Sequence, residues 1–200
     1  MKKKKEPLIV VVSAPSGSGK TTLVECLLKK IPEIKRSISY TTRQPRKEEE
    51  DKKDYAFISE EEFRKKIEKG EFLEWEKNFG NYYGTSKEQF RKAMEKREDI
   101  ILSIDVKGAK TVKKDFPESV SVFIMPPSAE ELKTRLRKRN TDQEEEVSMR
   151  LKEAEREIAA ADEYDYLIVN KELEEAAEEL KTIIETERKN REIDTKKGGK

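Results

Sequence analysis

Leu8-Ile-Val-Val-Val-Ser-Ala-Pro-Ser-Gly-Ser-Gly-Lys-Thr-Thr22 is the stretch whose reading decides the fold. Its first half, Leu8 to Val12, is an unbroken β-branched run, the pattern of a strand buried on both faces of a parallel sheet. Its second half follows G-x-x-x-x-G-K-[ST] with Ala14 at the first glycine position. It runs directly into an apolar helix beginning at Leu23. In that setting Gly17 and Gly19 let the backbone turn tightly so that its amides point inward, and the helix N-terminus adds its dipole. Lys20 supplies a point charge for β and γ phosphates and Thr21 a hydroxyl for Mg²⁺. Ala14 can take the bend if its φ stays negative. The motif implies a nucleotide; it does not say which one, or what is done to it.

Working outward, Ile100 to Asp105 and Val120 to Met125 read as further buried strands, with Tyr166 to Val169 a weaker fourth. Helical stretches cover Lys20–Lys30, Val106–Lys114, Ala129–Arg139, Glu144–Ala161 and Leu173–Arg191. Strands alternating with helices give an α/β doubly wound sheet. Ser59-Glu-Glu-Glu62, Ser86-Lys-Glu-Gln89, Ser128-Ala-Glu-Glu131 and Thr141-Asp-Gln-Glu144 fit the capping box, which marks helix starts. The segment from Ser37 to about Ser86 breaks the rhythm and reads as an inserted β-rich lobe. Gly80-Asn81 lies between two strand-like runs, as a two-residue hairpin turn would. That turn would set Phe79 opposite Tyr82, Asn78 opposite Tyr83 and Glu76 opposite Thr85. Alternation then puts Glu74, Tyr83 and Thr85 on one face, with Glu76 beside them.

Composition narrows the chemistry. The 200 residues suggest one compact unit with inserted lobes. Lys and Arg number 44 and Asp and Glu 43, so a balanced charge offers no electrostatic reason for nucleic acid or membrane as partner. There is no His, which excludes His triads, His metal sites and His switches. The single Cys26 suits a reducing compartment. The longest apolar run is far too short to span a bilayer, and the Lys-rich start lacks a signal-peptide apolar region. The reading is a cytoplasmic protein with no membrane or nucleic-acid partner, a monomer by default.

Beyond the phosphate loop, several segments carry a resemblance. They are Ser39-Tyr-Thr-Thr-Arg-Gln-Pro-Arg46, Lys53-Asp-Tyr55, Glu71-Phe-Leu-Glu-Trp75, Gly80-Asn-Tyr-Tyr-Gly84, Ile104-Asp-Val-Lys-Gly108 and Pro126-Pro-Ser128. In this order the chain resembles the guanylate kinase family over roughly residues 7–190. The resemblance implies transfer of the γ-phosphoryl group of ATP to GMP, giving ADP and GDP, with Mg²⁺. It implies a P-loop kinase: a parallel sheet flanked by helices, an inserted β-rich GMP-binding lobe and a helical lid. The parts would be a core of residues 7–37, 89–128 and 159–193, a lobe of 38–88 and a lid of 129–158, with disordered tails at 1–6 and 194–200.

Residue by residue, the resemblance assigns ATP to Ala14, Pro15, Ser16, Gly17, Ser18, Gly19, Lys20, Thr21 and Thr22. It assigns the GMP phosphate to Arg43, Arg46, Tyr55 and Tyr83. Planar guanidinium forks suit a phosphate dianion. Guanine falls to the carboxylate of Glu74, which would accept N1–H and the amino group, with Ser39 and Thr85 as hydroxyls and Asp105 as a further contact. Glu49 holds the family's acidic position after Arg46. Thr21 and Asp105 would hold Mg²⁺, directly or through water. Arg135 and Arg139, four apart on one helix face, and Arg150 on the next helix would close over ATP and neutralise the transferring group, together with Lys20 and Arg43. Asn170 matches a position near the adenine of ATP; read alone, it is a strand-end turn residue. Ser103 stands where the family usually has an acid, Glu48 where it has Gly and Lys107 where Gln is common. These departures keep a second class in view: a catalytically weak guanylate-kinase-like module that binds GMP or phosphorylated protein segments.

Overall fold

The computed structural model describes residues 6–47, 49–139 and 144–197; the side chains of 138–139, 144–146 and 194–197 lie outside that description, as do Glu48 and the Thr141 capping pattern. The chain runs β1 (Ile9–Ser13), α1 (Lys20–Lys30) and β2 (Lys35–Arg36), then leaves for a lobe of β3 (Tyr40–Thr41), β4 (Ala56–Phe57), α2 (Glu60–Glu68), β5 (Phe72–Asn78) and β6 (Asn81–Ser86). It returns through α3 (Lys87–Lys96), β7 (Ile100–Ser103), α4 (Val106–Asp115) and β8 (Val120–Met125). The pair α5 (Ala129–Arg139) and α6 (Glu144–Ile158) follows, then a 3₁₀ turn, β9 (Tyr166–Val169) and α7 (Leu173–Lys197).

Two sheets result. The core sheet is parallel, ordered β2-β7-β1-β8-β9, and the lobe sheet is ordered β4-β3-β6-β5. Strand β1 is buried along its whole length because both its faces are covered. Val10 and Val12 point into a cluster with Leu23 and Leu27 of α1 and Ala177 and Leu180 of α7. Ile9 and Val11 point the other way, against Phe90 and Ala93 of α3 and Ala109 and Val112 of α4. The chain adds β2 and β7 on one side of β1 and β8 and β9 on the other, and the crevice of such a sheet opens at the strands' carboxyl ends, beside the reversal. The phosphate loop leaves β1 at that point.

The expected parallel sheet flanked by helices is present, with corrections at its edges. Strand β2 was not legible: it is two charged residues, held by pairing with β7 rather than by apolar content. Strand β7 stops at Ser103 because Asp105 becomes the N-cap of α4, its side chain accepting from Gly108 N. Helix α6 ends at Ile158 rather than Ala161. Helix α7 continues to Lys197, so residues 194–197 are helix and not the expected disordered tail. No Gly or Pro, the usual terminators, intervenes before Gly198. Among the described residues no helix is long and apolar enough to cross a membrane.

The hairpin turn is Phe79-Gly80, not Gly80-Asn81. Phe79 and Gly80 have φ of 46° and 77°, as a turn with two positive-φ central residues needs. Glu74 therefore opposes Thr85, Glu76 opposes Tyr83 and Asn78 opposes Asn81. The offset from the expected pairing is two residues, and an even offset leaves every side chain on its expected face. A register irregularity between Phe72 and Glu74 has a further use. It lets Phe72 join Phe63 and Tyr82 in the lobe core while Glu74 faces the crevice.

Candidate active site

One cavity of about 410 Å³ opens between the phosphate loop, the lobe hairpin and α6. Ala14 to Thr21 form its floor. Gly17 and Gly19 have φ of 93° and 84°, and Ala14 is not among the residues with positive φ, which is why alanine serves there. Helix α1 starts at Gly19 without a side-chain cap and without an acidic residue in its first turn. Its N-terminal amides and dipole are thus left for an external anion. The expected Thr22 is exposed and does not line the cavity.

Lys20 donates to the carbonyl of Ile104 at 2.5 Å, which holds its ammonium at the carboxyl end of β7. Burial pulls the Lys20 pKa below the usual lysine range, against the opposing pull of Asp105, Glu157 and Glu74. An incoming polyphosphate would reverse that burial cost by supplying counter-charge.

The lobe wall carries Ser39, Arg43, Arg46, Tyr55, Glu74 and Tyr83. The Arg43 guanidinium lies 5.6 Å from the Tyr55 ring centroid and 5.8 Å from that of Phe57, and Tyr55 and Tyr83 meet edge to face at 6.1 Å. Burial raises the Tyr55 pKa, so its hydroxyl stays protonated and able to donate. Glu49 takes another place than expected. It does not line the cavity; it accepts from Arg43 Nη2 at 2.8 and 2.9 Å, from Arg46 N at 2.8 Å and from Arg46 Nη1 at 3.3 Å. It fixes the two arginines relative to each other, as a second-hand ligand through them.

Glu74 is 8% exposed. Its carboxylate accepts the Thr85 hydroxyl. Burial lifts its pKa to about 7, with the Thr85 bond pulling down and Asp105 pushing up. Glu76 lines the cavity too, but its side chain is 32% exposed and faces Lys107 at 3.7 Å. Of the two candidate carboxylates on this face, Glu74 is the buried one. Gly108, at the start of α4, makes room for it: a Cβ there would lie 2.5 Å from Glu74 Oε2.

On the third wall, Leu132 and Leu136 of α5 pack on Gly17, where a Cβ would come within 3.1 and 3.0 Å of them. Arg135 reaches the same loop; its Nη1 would be 3.9 Å from a Cβ on Gly19, and its Nε pairs with Glu131 at 3.0 Å. The side chain of Arg139 lies outside the described residues. Arg150 lines the cavity, its guanidinium 5.4 Å from the Phe79 ring centroid, so α6 meets the tip of the lobe hairpin. Asn170 does not line the cavity. It is 5% exposed and donates to the Ser18 carbonyl at 2.8 Å, bracing the loop from behind.

The wall residues to which the sequence reading gave no role include Ser103 and Glu157. Ser103 was noted only as a missing acid. Glu157 is 9% exposed, lines the cavity and accepts from Ser16 N at 3.2 Å. Burial lifts its pKa to about 7, against the Ser16 bond and Lys20. In a helix dense with charge it looks like solvated surface; its one signal is a spacing of seven from Arg150, which puts both on one helix face.

The chain as a whole is similar to known enzymes. The guanylate kinase family model matches residues 6–187. The guanylate kinase of Caldanaerobacter subterraneus subsp. tengcongensis is 47% identical over 185 residues, 92% of this chain and 90% of that protein. That of Syntrophus aciditrophicus is 47% identical over 179 residues, 90% of this chain and 86% of its own. The crystal structure of guanylate kinase from Anaplasma phagocytophilum superposes with a TM-score of 0.76 at 36% identity, covering 92% of this chain and 88% of that one.

Proposed function

The chain belongs to the guanylate kinase family, and from that membership we propose how its own residues divide the transfer of the γ-phosphoryl group from ATP to GMP. The observation that carries the proposal is that the phosphate loop, the Arg43–Tyr55–Tyr83 group and the buried Glu74 all line the same cavity.

In this reading ATP lies with its phosphates on the amides of Gly17, Gly19, Lys20 and Thr21 and on the Lys20 ammonium, the Ser16 amide being taken by Glu157. Arg135 and Arg139 attend the triphosphate from α5, and Asn170 keeps the loop in shape. The GMP phosphate is held by Arg43, Arg46, Tyr55 and Tyr83, with Glu49 keeping the arginines in register. Glu74 accepts guanine N1–H and the amino group, and Ser39 adds a hydroxyl contact. Thr85, fully buried and off the cavity wall, donates to Glu74 and orients it instead of meeting the base as expected. An oxygen of the GMP phosphate attacks the γ-phosphorus while the bond to the β–γ bridging oxygen breaks; the charge leaves on ADP. The nucleophile is already ionised near neutral pH, so no general base is needed and a chain without His can do this chemistry. The Thr21 hydroxyl and the Asp105 carboxylate are hard oxygen donors on the cavity wall and fit Mg²⁺. Bound there, Mg²⁺ would neutralise the phosphate oxygens. Arg150 supplies positive charge to the group in flight. The lobe of 38–88 and the lid of 129–158 act as the moving parts around the fixed core, in a monomer working in the cytoplasm.

The test is a coupled assay with ATP, Mg²⁺ and each nucleoside monophosphate in turn, on the parent and on Lys20→Ala. GDP formation that is lost in the variant is the expected result. Equal turnover with GMP and AMP would refute the base-reading role of Glu74, and phosphopeptide binding without turnover would favour the catalytically weak binding module.

A further inference from the structure

Glu157 is a buried carboxylate with no part in the mechanism above, and its contacts are specific. Its Oε2 accepts the Ser16 amide of the phosphate loop at 3.2 Å. It sits on the penultimate residue of α6, seven residues after Arg150, so the two side chains share one face of that helix, and both line the cavity. Helix α6 is packed on α5 through Leu132, Leu136, Val147 and Ala154, and Leu132 and Leu136 rest on Gly17 of the same loop. The helix pair is thus seated on the phosphate loop by apolar contact at Gly17 and by a polar bond at Ser16.

The two attachments differ in kind. Apolar packing is non-directional and lets a helix slide or roll. A carboxylate oxygen on a backbone amide fixes position and rotation together. The end of α6 that carries Glu157 is therefore the pivot of the helix, and Arg150, two turns away, takes its direction from it.

We propose that Glu157 is a positioning residue: through the Ser16 amide it pins α6 to the phosphate loop and so aims Arg150 at the transferring phosphoryl group. The inference rests on the role given to Arg150 above. What the bond needs from Glu157 is an acceptor oxygen at this reach; a carboxamide oxygen supplies one, a thioether does not.

The experiment compares Glu157→Gln, Glu157→Met, Arg150→Ala and the double variant Glu157→Met with Arg150→Ala, with thermal melts establishing that each is folded at the assay temperature. Glu157→Met should lower kcat about tenfold or more with KM for GMP within threefold of the parent, and Glu157→Gln should recover at least a third of the parent kcat. The double variant should be no slower than Arg150→Ala alone, because a misaimed arginine and an absent one have the same effect. Parent-like kcat in Glu157→Met, a Gln variant as slow as Met, or multiplicative losses in the double variant would each overturn the proposal. If the Met variant does not fold, the Gln variant decides alone: below a tenth of the parent kcat it overturns the proposal, above a third it supports it, and a value between counts against it. Parent-like kcat in Arg150→Ala removes the underlying role of Arg150 instead, a result distinct from failure at Glu157.

Discussion

Thr85 donates its hydroxyl to the carboxylate of Glu74 from the position directly opposite it on the neighbouring strand. The hairpin register therefore sets the orientation of a buried carboxylate. Asp105, itself tied to Gly108 N at 2.8 Å, stands behind it. The carboxylate is held by groups that do not move with the substrate, which is the condition for reading a base by shape of donors.

Glu74→Gln should raise KM for GMP about 10- to 100-fold, the worth of one hydrogen bond to a charged group. The carboxamide can accept one guanine donor, but its NH₂ faces the other. The loss should be much smaller in binding of ATP, whose proposed contacts lie on the loop. Titrating each nucleotide into the variant separates the two; equal losses would mean that Glu74 supports the cavity rather than reads guanine.

Gly108→Ala tests the same carboxylate from behind. The added methyl would lie 2.5 Å from Glu74 Oε2, a distance no Cβ tolerates, so Glu74 must shift. The expected outcome is weaker GMP binding with a melting temperature within a few degrees of the parent, since the neighbour displaced is a side chain at a cavity wall. Gly84→Ala should behave oppositely. Its Cβ would meet Phe72 at 2.9 Å and Phe63 at 3.0 Å in the lobe core, and overpacking of that kind costs about 1–3 kcal/mol. Thermal melts and GMP titrations on the pair distinguish a methyl in the site from a methyl in the core.

The core and the phosphate loop were legible because their signals are local. A β-branched run and two positive-φ glycines mean much the same in any protein, and the alternation of Ile9 to Val12 between two helical layers follows from strand geometry. What escaped had signals that are not local. Strand β2 is two charged residues made a strand by β7. The turn moved one residue to Phe79-Gly80 because tertiary context accepts a phenylalanine at φ 46°. Among the described residues, Ser59 with Glu62 closes a capping box in both directions. Ser86 caps Gln89 N, yet Gln89 spends its own side chain on the backbone of Ile38, at 2.9 and 3.1 Å. Glu157 and the bracing roles of Glu49 and Asn170 depend on which surface faces which, and spacing along the chain does not carry that.

Arg150 stacks on Phe79, an exposed aromatic at the hairpin tip, at 5.4 Å. That contact joins α6 to the lobe, so Phe79→Ala should raise KM for GMP a few-fold while leaving the fold intact, and Phe79→Tyr should behave as the parent. A cation–π contact at such a site is worth about 0.5–1 kcal/mol, which bounds the effect. A loss above 100-fold would show that Phe79 touches substrate.

The two buried carboxylates make stability fall with rising pH in a defined window. Glu74 and Glu157 each titrate at about 7 in the folded protein, against 4.5 as the ordinary value, with burial as the main cause. Between those values the native state holds protons that the unfolded chain has released. Linkage then makes unfolding easier as pH rises, and the loss is complete above about 7. Each group contributes about 3 kcal/mol across that span, as an order of magnitude. Surface acids such as Glu62, whose pKa is lowered first by the Ser59 backbone bond, act in the opposite sense and below this window. Urea unfolding at pH 5 and pH 7.5 on the parent and on the Glu74→Gln, Glu157→Gln double variant measures the difference. The double variant should lose less stability than the parent between the two pH values. A parallel decline in both would show that neither carboxyl is held protonated by burial, and the loop would then face two fixed negative charges before any nucleotide arrives.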